Sequence, residues 1–131
     1  MANYYGYARS NAFMVKDVDA FITAVEKFPV QVEQRGDNKV MLFPEEDYDT
    51  GFPWEYYDEE QEEYVEIPWD EIFKEHLRDT WVAIMMEIGN EKLRYLNGYA
   101  QAWNNKGEVR VISTMDIEKL AKEIGTNGTE F

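Results

Sequence analysis

The chain contains no cysteine. Disulfide frameworks, thiolate metal sites, cysteine nucleophiles and iron–sulfur clusters are therefore excluded, and the cysteine count does not oppose a reducing compartment. With a single histidine, His76, a multi-histidine metal site or a Ser-His-Asp apparatus is very hard to assemble. No run of 18 apolar residues occurs, and Met1-Ala2-Asn3-Tyr4-Tyr5 lacks the basic region and apolar stretch of a secretory signal, so a cytoplasmic location is expected. The glycines form no phosphate-binding loop; the nearest pair, Gly125 and Gly128, falls in the C-terminal tail without a strand-turn-helix context. Positive charge is also scarce. Thirteen Lys and Arg stand against 27 Asp and Glu, giving a formal charge of −14, which argues against direct binding to nucleic acid or anionic membranes and in favour of a basic partner.

Large side chains, by contrast, are plentiful. Aromatics make up 15% of the 131 residues and hydrophobics 44%, too many for a disordered chain, and the length suits a single domain, 1–131, with one core.

The acidic excess is concentrated in one place. Residues 45–75 hold 14 of the 27 acids and one base, Lys74, whereas the other 100 residues hold 13 acids and 12 bases. A solvating acidic surface would be spread evenly, so this asymmetry marks a segment with its own role. The same window carries Tyr48, Phe52, Trp54, Tyr56, Tyr57, Tyr64, Trp69 and Phe73, which a free acidic tail would not need, so order, at least on binding, is expected.

Along the chain, Tyr4 to Phe13 reads as a first strand. Asp17 then caps a helix through about residue 28, with Val18, Phe21, Ile22, Val25 and Phe28 on one face and Pro29 as its stop. Residues 30–33 and 39–43 flank the turn formers Arg35-Gly36-Asp37-Asn38 and predict a β-hairpin, with the Arg-Gly-Asp tripeptide serving as the turn. The acidic, aromatic segment 44–67 reads as an insertion, a long excursion with a short extended piece near 64–67. Pro68 opens a short helix with Trp69, Ile72, Phe73 and His76 or Leu77 on one face. Thr80 to Glu87 reads as a buried strand, Gly89-Asn90 as a turn, and Leu93 to Trp103 as a strand with Leu93, Tyr95 and Leu96 inward. Asn104-Asn105-Lys106-Gly107 joins that strand to Glu108–Thr114, completing a three-stranded meander. Ser113 or Thr114, with Asp116, begins a last helix whose face is Ile117, Leu120, Ala121 and Ile124, before a polar tail, 126–131. This order implies an α+β fold: an antiparallel or mixed sheet of about five to six strands with three helices.

The chemistry readings divide sharply. Carboxylates are abundant, but no catalytic partner accompanies them, so no catalytic residue is assigned and a non-enzymatic protein is expected. Asp47-Tyr48-Asp49-Thr50-Gly51 resembles the start of a calcium loop but has Gly at the fifth position and Asp58 at the twelfth, so neither a metal site nor any cofactor is expected. His76 reads as a half-buried structural histidine. Tyr4, Tyr5, Tyr7 and Arg9 read as strand pairing, because a stacking surface for single-stranded nucleic acid needs an electropositive funnel.

The binding reading is the sharper one. On extended backbone, Glu55, Tyr57 and Glu59, or Asp58, Glu60 and Glu62, project from one side at intervals of about 6.6 Å, a spaced row of charge resembling a nucleic-acid strand. Glu45, Glu46, Asp47, Asp49, Asp58, Glu59, Glu60, Glu62 and Glu63 would carry the charge and Trp54, Tyr56 and Tyr57 the anchoring.

Tyr4-Tyr5-Gly6-Tyr7-Ala8-Arg9-Ser10-Asn11-Ala12-Phe13-Met14-Val15-Lys16-Asp17 and Glu91-Lys92-Leu93-Arg94-Tyr95-Leu96-Asn97-Gly98-Tyr99-Ala100 resemble a family of small acidic proteins of phages, plasmids and integrative elements. The resemblance covers about a fifth of the chain and implies mobile-element biology inside a bacterial host cell. There such proteins often inhibit defence nucleases, as anti-CRISPR or anti-restriction factors. The expectation is an inhibitor that mimics nucleic acid and occupies a cationic groove; the alternative is an immunity-type or accessory protein that binds a basic toxin or regulator. Exposed Tyr and Trp would also suit a homodimer.

Overall fold

A computed structural model describes residues 5–45, 51–91, 95–125 and 127. The order is β1 (Tyr5–Ser10), β2 (Phe13–Met14), α1 (Val18–Val25), β3 (Val30–Gly36), β4 (Lys39–Pro44), β5 (Glu55–Asp58), β6 (Glu63–Glu66), α2 (Trp69–His76), β7 (Ala83–Glu91), β8 (Tyr95–Trp103), β9 (Val109–Ser113) and α3 (Asp116–Lys122). The fold is α+β. Among the described residues, three helices accompany nine strands in antiparallel sheets ordered β1-β7-β8-β9, β2-β4-β3 and β5-β6, roughly compatible with the expected five to six strands.

The first strand is broken where the chain passes from one sheet to another. Asn11 imitates a strand residue with its side chain: Nδ2 donates to the Val82 carbonyl (3.0 Å) and Oδ1 accepts from the Ile84 N–H (2.8 Å). The buried Ser10 hydroxyl donates to the Asn11 carbonyl and accepts the Leu42 N–H, both at 2.7 Å, tying β1 to β4. These bonds satisfy backbone groups at a junction where no ladder can.

Local signals set the helices. Asp17 Oδ1 accepts the Ala20 N–H (3.1 Å) at the start of α1, which buries Phe21 and Val25. α2 follows Pro68, carries Asp70 and Glu71 in its first turn, and buries Trp69, Ile72 and Phe73. The core lies between α1, α2, the β2-β4-β3 sheet and one face of the four-stranded sheet. Phe13 meets Phe21 and Phe73 edge-on at 5.7 Å, and Trp69 stacks on Phe73 at 5.6 Å. His76 lies edge-on to Phe21 (5.9 Å), as a structural histidine would.

Three expectations for the C-terminal half need correction. Gly89-Asn90 is no turn; both residues lie in β7, paired with Asn97 and Leu96. The run from Thr80 is not buried throughout: Ala83 and Met85 face the core, whereas Val82, Met86 and Ile88 are exposed, because no described element covers the other face of the sheet. α3 forms, with Asp116 Oδ2 accepting the Ser113 N–H (2.7 Å), but buries none of its residues, and Ile117, Leu120 and Ile124 stay exposed. The meander itself forms as expected, with Gly107 (φ +85°) in the β8–β9 turn. The inward settings of Leu93, Tyr95 and Leu96 lie outside the described side chains.

Candidate functional site: an acidic hairpin on an aromatic foot

Segment 51–67 is a hairpin clamped at both ends. On the way in, Phe52 and Pro53 are buried, and the Phe52 N–H donates to Glu87 Oε1 on β7 (3.0 Å). Gly51 has φ +112°, a backbone conformation that favours glycine, and it passes so close to the Glu87 carboxylate that a Cβ there would sit 2.9 Å from it. On the way out, the Ile67 N–H donates to the Trp54 carbonyl (2.8 Å), buried Ile67 joins the core, and the Trp69 indole donates to the Pro53 carbonyl (3.0 Å).

Between these clamps, β5 and β6 pair as Glu55↔Glu66, Tyr56↔Val65, Tyr57↔Tyr64 and Asp58↔Glu63. The single extended row expected over 55–63 is therefore not formed. The chain turns after Asp58, whose Oδ1 accepts the Glu60 N–H (2.9 Å) and the Gln61 N–H (3.3 Å), and Glu62 adopts φ +53°. The charges sit on two strands about 4.8 Å apart, with Asp58, Glu59, Glu60, Glu62 and Glu63 gathered at the tip.

The expected anchors differ in role. Tyr57 is exposed and packs edge-on with exposed Tyr64 (5.4 Å), a surface pair available to a partner. Tyr56 holds the hairpin to the body instead, against Phe28 (4.9 Å) with the Lys27 ammonium 5.4 Å from its ring. Trp54 stands at the foot, perpendicular to Tyr99 (6.0 Å) and tilted against Trp103 (6.3 Å). Glu45 follows β4 and is exposed, with its N–H bonded to the Pro29 carbonyl (3.1 Å). Glu46, Asp47 and Asp49, and with them most of the calcium-like segment, lie outside the described residues.

Two of the four cross-strand pairs set acid against acid, an arrangement that destabilises a β-ribbon. Residues 55–66 contain no Lys or Arg. Among the described residues, ion pairs join Arg35 to Glu33, His76 to Glu75, Arg110 to Glu108 and Lys122 to Glu118, and none reaches the hairpin.

Sequence reasoning missed what surrounds Trp54. On one side an open cleft of about 520 Å³ is bounded by Trp54, Glu87, Tyr99, Ser113, Thr114 and Met115. On the other, a cleft of about 400 Å³ is bounded by Trp54, Glu66, Asp70, Glu71, Gln101 and Trp103. Burial raises the Glu87 carboxyl above the usual carboxylate range, against the opposing pull of bonds from the Phe52 N–H and the Trp54 side chain. Tyr99 is raised too, by burial and then by the neighbouring Glu87 charge. One signal could have found Glu87: it shares the strand parity of Ala83 and Met85, placing an acid on the core-facing side of an apolar run.

Among the described residues, no cluster of His, Asp or Glu has metal-ligand geometry, and no helix is long and apolar enough to cross a membrane. Compared with known protein families, curated proteins and solved structures, the chain matches none.

Proposed function

We propose that this protein is a non-enzymatic inhibitor of a bacterial defence nuclease or RNA-guided CRISPR complex, placing its acidic hairpin in a cationic groove built for nucleic-acid phosphates. The observation that carries the reading is the unneutralised charge of the hairpin. Acid opposes acid at Glu55↔Glu66 and Asp58↔Glu63, with no base between residues 55 and 66. Such repulsion is a standing cost in the free protein and is relieved when Lys and Arg side chains come in from outside. A groove that normally releases counterions to bind phosphates offers those cations at matching density. Steering by the tip acids speeds encounter, while exposed Tyr57 and Tyr64 supply apolar contact that holds the complex once salt has screened the longer-range attraction.

The test is an affinity pull-down from nuclease-treated bacterial lysate, read by mass spectrometry. Wild type is compared with a folded variant carrying Glu59→Lys, Glu60→Lys, Glu62→Lys and Glu63→Lys. Capture of a defence nuclease or its guide complex by the wild type alone, with inhibition of that nuclease in vitro, is expected. Capture of a basic toxin or regulator instead, or identical profiles from the two proteins, would overturn the proposal.

A further inference from the structure

We infer that the cleft bounded by Trp54, Glu87, Tyr99, Thr114 and Met115 is a seat for one arginine side chain of the partner protein, an inference that rests on a basic partner engaging the hairpin. Its position is the first argument. Trp54 immediately precedes β5, so a basic segment lying along the hairpin reaches this cleft at the hairpin's foot.

The chemistry of the walls is the second. Glu87 is half-buried, and the hydrogen bond it accepts comes from a neutral donor, the Phe52 N–H on Oε1. No Lys or Arg among the described residues forms an ion pair with it. A carboxylate withdrawn from water without a cation is costly, and an incoming guanidinium offsets that cost with charge-assisted hydrogen bonds. Trp54 and Tyr99 stand nearly perpendicular (88°), so a planar cation can lie on one ring face while meeting the edge of the other. Met115, largely exposed at the rim, supplies an adaptable thioether to cover the aliphatic stem.

Arginine fits better than lysine for a physical reason. Its guanidinium is planar, more weakly hydrated than an ammonium, and able to stack on an indole while donating two hydrogen bonds to a carboxylate. The acids Glu66, Asp70 and Glu71 across Trp54 deepen the negative potential around the seat.

The test uses the full chain and N-acetyl-arginine methylamide as probe, followed by ¹H–¹⁵N NMR. Saturable shifts are expected at the Trp54 indole and at the Gly98, Tyr99, Thr114 and Met115 amides, with affinity in the millimolar range because a single side chain is a small ligand. The uncharged citrulline counterpart should leave those signals unmoved. Glu87→Gln, whose amide oxygen can still accept the Phe52 N–H, should keep the native spectrum and weaken arginine binding roughly tenfold or more. Equal shifts with citrulline, or shifts spread along residues 55–66 in place of the cleft, would overturn the inference. The quadruple hairpin variant should retain arginine binding, which separates this site from the charge reading. Partner capture by Glu87→Gln at the wild-type level would sink the seat while leaving the hairpin reading intact.

Discussion

Two hairpins in this chain differ in both sequence signature and energetics. The β3–β4 hairpin is paired on its far side by β2, places Val30, Val40 and Leu42 in the core, and contains its own Arg35–Glu33 ion pair at 3.1 Å. The β5–β6 hairpin forms a sheet of two strands, buries none of its strand residues, and carries acid opposite acid. Burial decides the conformation of the first. The second is held by its clamps at Phe52 and Ile67, by Tyr56 against Phe28, and by the Tyr57–Tyr64 contact, and no ion pair among the described residues reaches it. One hairpin is part of the scaffold, and the other is presented by it.

Substitutions can break this contrast, beginning with the largest effect. Leu42→Ala in β4 removes a fully buried side chain and should destabilise the fold by about 2–5 kcal/mol in chemical denaturation, whereas Tyr64→Ala in β6 should cost far less. A comparable loss for Tyr64→Ala would mean that the acidic hairpin is scaffold after all. Ser10→Ala leaves the Leu42 N–H without its acceptor at the same junction and should cost about 1–3 kcal/mol.

Glu87 ties the presented hairpin to the scaffold, and its pH dependence sharpens the comparison. Its folded-state carboxyl is raised, so its contribution to stability is fully present below the ordinary carboxylate range and is lost as pH rises through the higher folded value. Wild type should therefore lose stability relative to Glu87→Gln as pH rises from the ordinary carboxylate range, measured by denaturation at each pH. A difference that grows in the opposite direction would mean that the bonds from Phe52 and Trp54 outweigh burial.

The smallest effect carries the most telling sign. Glu55→Lys sets a cation opposite Glu66 and should stabilise the free protein by about 0.2–1 kcal/mol, less at high salt, while weakening partner capture. Lost stability would refute cross-strand repulsion as a cost carried by the free hairpin.

Much of the scaffold was legible because local rules governed it. Asp17 caps α1, although the helix ends at Val25, short of the expected stop at Pro29; Pro68 opens α2, and Asn104-Asn105-Lys106-Gly107 closes the β8–β9 turn, each through backbone chemistry that acts within a few residues. The β5–β6 hairpin was hidden because acids are poor strand formers and its anchors are contributed by distant parts of the chain. Ile117, Leu120 and Ile124 have a core-facing pattern, yet periodicity reports a face without saying what will meet it, and the described fold leaves that face open.

The sequence by itself determined the α+β class, the confinement of negative charge to one aromatic-rich segment, and the lack of the groups that thiolate or multi-histidine chemistry needs. Only the tertiary structure decided that this charge would be folded back on itself and that Glu87 and Tyr99 would stand beside Trp54. The reason is the range of the interactions. Charge and helix signals are properties of neighbouring residues, whereas the cleft depends on the β7–β8 register that sets Glu87 opposite Tyr99 and on one N–H, from Phe52, that reaches across 35 residues to the carboxylate.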